Sequence, residues 1–412
     1  MAGLVLSALV AAAVFLVVGN DETVVRPDPT PTPSSDGVAT REDAAGELLS
    51  ELASALSEGS RQEVLRLAAP GRSARASLGA VYDNVQDLRV EDLSLRYVDE
   101  QAGELSAEDR RAFGARAWVA DVQLGWRLGG AGETPTETEV SMTFVETPDG
   151  AAFGSASGDY GNPAPLWLID DLTVRRSARW VLMVADPANA DRYAALVDRA
   201  VADVARVIPS WRGSLVVEVP ATQEEMHQVL DADPGTYSAI AAVTSTVDGS
   251  LSPSAPSHII VNPDVFGRLG ADGSQIVMSH EATHVATDAA VSSMPLWLLE
   301  GFADYVALAG VDLPVSLTAS QILADVRRDG APEALPGSKE FATSNRLLGS
   351  SYEAAWLACR LIGETYGEAR LIRFYETVDD GTPVEEAFRD VLGTSERSFT
   401  RAWQDYLTEL AG

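Results

Sequence analysis

The spacing of apolar residues divides the chain into two unlike stretches. Between residues 41 and 175 the pattern opens on a helix at 44–56, with apolar positions at Leu48, Leu49, Leu52 and Leu56. Alternation of period two then takes over. Leu88, Val90, Leu93, Leu95 and Tyr97 form one run, Trp118, Ala120, Val122, Leu124 and Trp126 a longer one, and Val140, Met142 and Phe144 a third. A helix followed by long strands predicts a curved sheet wrapped on helices. From about residue 176 the pattern changes. A strand at 180–184 leads into a long helix at 188–207, then a strand at 214–219 and a helix near 223–230. Residues 246–257 are rich in Ser, Pro and Gly and read as an exposed loop. A short strand at 258–262 follows, and the rest is largely helical. The fold class expected is α+β, with a small α+β domain at 41–175 and a second, larger domain at 176–412.

The start of the chain has a different character. Residues 3–19 carry no charge, and seventeen residues at 1.5 Å rise span about 26 Å, the short end of a bilayer crossing. No basic segment precedes this run and no clear cleavage site follows it, so an N-terminal membrane anchor at 1–19 is favoured over a cleaved signal segment. Residues 20–40 hold Pro27, Pro29, Pro31 and Pro33 among Thr and Ser, the composition of an extended, disordered spacer. The expected placement is a single-pass anchor in the cell membrane with the body outside the cytoplasm.

With 412 residues, more than one core is expected, which agrees with the change of pattern near 176. The net charge is −31, from 61 acidic and 30 basic residues. Such a field repels phosphates, which excludes nucleic acid as a partner. There is one cysteine, Cys359, so no internal disulfide can form. It lies in an apolar run and reads as a small buried hydrophobe.

Chemistry concentrates in one short string, Ser279-His280-Glu281-Ala282-Thr283-His284. On a helix, residues four apart share a face. Two imidazoles so placed can reach one metal ion at about 2.0–2.1 Å. Glu281 is turned roughly 100° from His280 and is left free for proton transfer. The neighbours Ile276, Val277, Met278, Val285 and Ala286 make this helix apolar on most sides, as a buried helix is, and Gly270, Asp272 and Gly273 supply a start. Chance would produce the motif in roughly 0.3% of chains of this composition. A second segment, Pro295-Leu296-Trp297-Leu298-Leu299-Glu300-Gly301-Phe302-Ala303-Asp304-Tyr305, starts a helix at its proline. Glu300, sixteen residues after His284, suits a second packed helix presenting a third ligand to the same metal. Two His and one Glu leave the fourth position of a zinc ion open, the catalytic arrangement. Gly301 is expected to let the two helices approach closely. Asp304, one turn beyond Glu300, is the candidate partner for the other ring nitrogen of His280; a surface acid is the competing reading.

Together the two segments resemble the gluzincin clan of zinc peptidases, which includes thermolysin, and more closely the bacterial peptidase MA-like family of membrane-associated or exported proteins. The resemblance covers about residues 176–412. It implies one Zn2+ per chain held by His280, His284 and Glu300, Glu281 as general base, and a peptide or protein substrate. It also implies a Tyr or His that stabilises the oxyanion; Tyr352 is the candidate, with a core tyrosine as the plainer reading. By the same analogy the strand at 258–262 would be a sheet edge that pairs with extended substrate, with an ordinary sheet strand as the competing reading. The glycine- and methionine-containing signature of the aminopeptidases is not seen. The stretch 41–175 resembles, in shape class alone, the nuclear-transport-factor-like cone fold. The alternative to a peptidase is a catalytically inactive zinc-binding module that serves interactions outside the cytoplasm.

Overall fold

The computed structural model describes residues 40–101, 105–157, 160–342 and 345–412. The expected anchor at 1–19 and nearly all of the spacer lie outside these residues. Among the described residues no helix is long and apolar enough to cross a membrane.

The first unit is a four-stranded antiparallel meander laid on two helices. Helix α1 (Arg41–Glu58) starts in a capping box, with the Thr40 hydroxyl accepting from Asp43 N–H and the Asp43 carboxylate accepting from Thr40 N–H. It buries Leu48, Leu49, Leu52 and Leu56. Helix α2 (Arg72–Leu88) buries Ala74, Leu78, Val81, Val85 and Leu88, a helical spacing that alternation-based reading passes over. Leu88 closes this helix and does not open a strand. Arg89 caps it in the left-handed conformation (φ 53°), and β1 (Val90–Glu100) begins one residue later. Strands β2 (Ala117–Leu128), β3 (Thr136–Thr147) and β4 (Gly150–Ser157) complete the sheet in sequence order. Their inward residues Trp118, Val122, Trp126, Val140 and Phe144 form the core against α1 and α2.

The second sheet carries the site. It contains β5 (Thr173–Arg176), β6 (Trp180–Val184), β7 (Leu215–Val219), β8 (Ala242–Thr246) and β9 (Ser257–Val261), in the order β5-β6-β7-β9-β8. The pairs β6–β7 and β7–β9 are parallel, while β5 and β8 run antiparallel to their neighbours. Strand β9 is therefore internal, and the edge on its side of the sheet is β8, which the sequence pattern had not revealed. The Ser/Pro/Gly-rich stretch is the connection from β8 to β9. The pleat sends Leu182, Val217, Ile259 and Val261 to one face, where they pack with α3 (Ala190–Val207) and α5 (Ala271–Ala286). Here α4 denotes the short helix Gln223–Val229. The other face gives Val181, Met183 and Val216 to the core of the first unit. One sheet thus serves both units.

Helices α6 (Leu296–Leu308), α7 (Ser320–Asp329), α8 (Leu348–Tyr366), α9 (Glu368–Asp379) and α10 (Glu396–Ala411) pack beyond α5. Gly301 on α6 is a point of close approach, but the partner is α8 and not the motif helix. A Cβ there would collide with the Ala355 carbonyl and sit 3.0 Å from Cys359 Sγ. Cys359 is a free, fully buried thiol.

Across the seam between the units, His258 on β9 lies between two acids. Its Nδ1 meets Glu218 Oε1 of β7 at 2.5 Å, and its Nε2 meets Glu133 Oε1 from the β2–β3 loop at 2.8 Å. Burial lowers the pKa of the ring, but Glu133 and then Glu218 outweigh it and raise it to about 10. Since the unfolded value is near 6.5, this contribution to stability is fully present below pH 6.5 and is lost as pH rises toward 10. We expect His258→Gln to flatten the decline of stability over that window in urea titrations run at a series of pH values. An unchanged slope would contradict the charged bridge.

Candidate metal centre

Helix α5 is buried almost throughout, with every side chain from Ser274 to His284 shielded. Its N-cap is Gly270, which supplies no side-chain bond, and Asp272 in the first turn complements the helix dipole. Polar contacts fix its rotation. Gln275 donates to the Leu196 carbonyl of α3 and to Ser279 Oγ, and Ser279 Oγ donates to Asp203 Oδ2 at 2.8 Å. This leaves His280 and His284 facing α6, their rings nearly perpendicular (87°) with centroids 4.5 Å apart.

Both rings point Nε2 at the same atom. His280 Nε2 lies 3.1 Å and His284 Nε2 3.3 Å from Glu300 Oε2. The three side chains offer ligand atoms within 4.8 Å of one another and could hold a metal ion. They are at most 2% exposed. Asp304, one turn along α6, accepts from His280 Nδ1 at 2.8 Å. That bond fixes the tautomer, so that Nε2 is the nitrogen turned toward Glu300. Burial lowers the His280 pKa, yet Asp304 and then Glu300 overcome this and hold it well above the ordinary value. Glu300 is raised by burial but more strongly lowered by His284 and His280, ending at about 2.

Glu281 does not join this set. Its Oε2 accepts from Thr244 Oγ1 at 2.7 Å, while Oε1 has no hydrogen-bond partner among the described residues. Burial pushes its pKa up, against the pull of His280, His284 and Thr244. Thr244 belongs to edge strand β8 and was not foreseen; no motif marks it, and its role depends on a strand with only weak alternation. Tyr352, at the start of α8, is buried, with its ring 6.3 Å from that of His280 and edge-on to Phe341. Burial raises its pKa well above 10, and Glu300, Asp304 and Glu281 add to this, so the phenol keeps its proton. His227 and His258 lie outside the centre. The structure therefore brings together His280, Glu281, His284, Glu300, Asp304 and Tyr352.

No family model matches the chain, and no curated protein or solved structure shows a detectable match to it.

Removing a ligand should cost more metal than removing the residue behind it. Glu300→Ala should strip most metal during dialysis, and Asp304→Ala should lower affinity about 10–100-fold. Metal content by elemental analysis is the readout. Full retention in Glu300→Ala would place the third ligand elsewhere.

Proposed function

We propose that the chain is a zinc-dependent peptidase, held by an N-terminal anchor with its body outside the cytoplasm. The observation that carries this reading is the state of Glu281. One carboxylate oxygen is tethered to Thr244 and the other is unengaged, beside two imidazoles and a carboxylate that converge on one point. Those three donors fit zinc, whose catalytic sites take three protein ligands and keep one position open. Their convergent Nε2 atoms, both within 3.3 Å of Glu300 Oε2, favour an ion there.

When bound, zinc lowers the pKa of a coordinated water toward 7 and polarises a carbonyl oxygen. Glu281 Oε1 accepts a proton at this site and later returns it to the departing amine. Thr244 holds the other oxygen, so the carboxylate stays oriented throughout. Asp304 keeps the His280 proton on Nδ1. The Tyr352 phenol donates to the oxygen that gains negative charge. Edge strand β8, which supplies Thr244, has one side unpaired by any described strand and offers backbone groups to an extended peptide.

Glu281→Gln should abolish peptide hydrolysis while zinc stays near one per chain, because that residue serves the proton and not the metal. Peptide-library digestion together with elemental analysis tests both halves. Hydrolysis persisting in the variant would remove Glu281 from its role. A wild-type protein that binds zinc yet cleaves nothing would favour an inactive interaction module. For the anchor, protease shaving of intact cells should digest the body; protection until lysis would reverse the placement.

A further inference from the structure

The back face of the second sheet holds an acid that the metal centre does not use. Glu218 on β7 is 5% exposed, and its Oε1 is taken by His258. Its Oε2 is buried with no hydrogen-bond partner among the described residues. Glu218 and His258 form part of the wall of a small chamber of about 30 Å³ at the seam between the units. The rest of the wall is mainly apolar, including Trp126, Trp167, Val229 and Leu230. The two indoles meet edge-to-face with centroids 6.1 Å apart. A space of that size admits one group about as large as a water molecule.

The chamber does not stand alone. It shares Thr138, Pro163 and Thr246 with a groove of about 340 Å³ that follows β8 and includes Thr244. The groove carries Glu139, Asp231 and Asp248 and no basic residue. Glu133, which holds the other ring nitrogen of His258, is not part of the chamber wall, so Glu218 Oε2 is the acceptor left to the chamber.

We propose that the chamber receives the ammonium group of a lysine side chain, carried by a peptide lying along β8. Four features select this group. A primary ammonium is compact, whereas a guanidinium is a larger plane that seeks two acceptors. The floor offers one free oxygen and not two, because Oε1 of Glu218 is engaged. The indole rings favour a cation near their faces. Val229 and Leu230 can cover the methylene stem. The acidic groove would raise the local concentration of cationic segments. Thr246 lies two residues from Thr244, about 7 Å along the strand. If the peptidase reading holds, the lysine sits within roughly three residues of the cleaved bond; the binding itself does not depend on that reading.

The test uses full-length Glu281→Gln protein and equilibrium binding of four capped octapeptides, identical except for lysine, arginine, norleucine or N-acetyl-lysine at one scanned position. At one position lysine should bind at least ~10-fold tighter than norleucine or N-acetyl-lysine, and tighter than arginine. Adding Glu218→Gln should erase that advantage with zinc content unchanged. Should that variant fail to fold, Trp126→Phe should shrink the advantage several-fold. Equal binding of lysine and norleucine, an advantage that survives Glu218→Gln, or no binding of any peptide would overturn the proposal. Lysine preference in a protein whose wild type hydrolyses nothing would sink the peptidase reading alone.

Discussion

Glu281, Glu300 and Asp304 are buried with two imidazoles in a site shielded from water, and everything packed around it answers the cost of burying that much charge. An isolated carboxylate in such a place would take up a proton. Here each acid has a specific counterpart. Glu300 faces both Nε2 atoms, Asp304 takes the His280 Nδ1 proton, and Glu281 leans on the Thr244 hydroxyl. Removing one partner would leave another group buried and uncompensated, so each charge has to be met within the cluster. That requirement fixes the rotation of α5 through Ser279 and Gln275, and it demands that α6 come close. The bare Cα of Gly301 lets α8 seat against the back of α6.

How much of this was readable beforehand depended on sequence distance. His280, Glu281 and His284 share one helical turn, and Glu300 and Asp304 share the next helix, so spacing alone placed them correctly relative to one another. Thr244 lies 37 residues before Glu281 on a strand whose side chains scarcely alternate in polarity. Periodicity had nothing to seize on there. The edge role of β9 came from analogy, and with β8 unrecognised there was no other strand to take it; strand order is a property of pairing between distant segments. Helix α2 escaped because its last apolar residue, Leu88, continues in register with the alternation of β1. The partner of Gly301 was misjudged because glycine shows that something comes near without showing what.

The described residues form two sheets, but the units built on them are not independent. Val181, Met183 and Val216 fill the core of the first unit from the sheet that carries the metal centre on its other face. The Glu133–His258–Glu218 bridge joins residues 125 and 40 positions apart in sequence. A change in the packing of the first unit would reach β8 and Glu281 through one strand layer.

An unpaired strand edge invites any extended chain, including that of a neighbouring molecule. In β8 this hazard sits beside a groove carrying Glu139, Asp231 and Asp248, on a protein whose net charge is −31. Two copies approaching edge to edge would bring those acids together with no basic residue of the groove between them. The same field that admits a cationic segment would keep the protein from polymerising through its own edge.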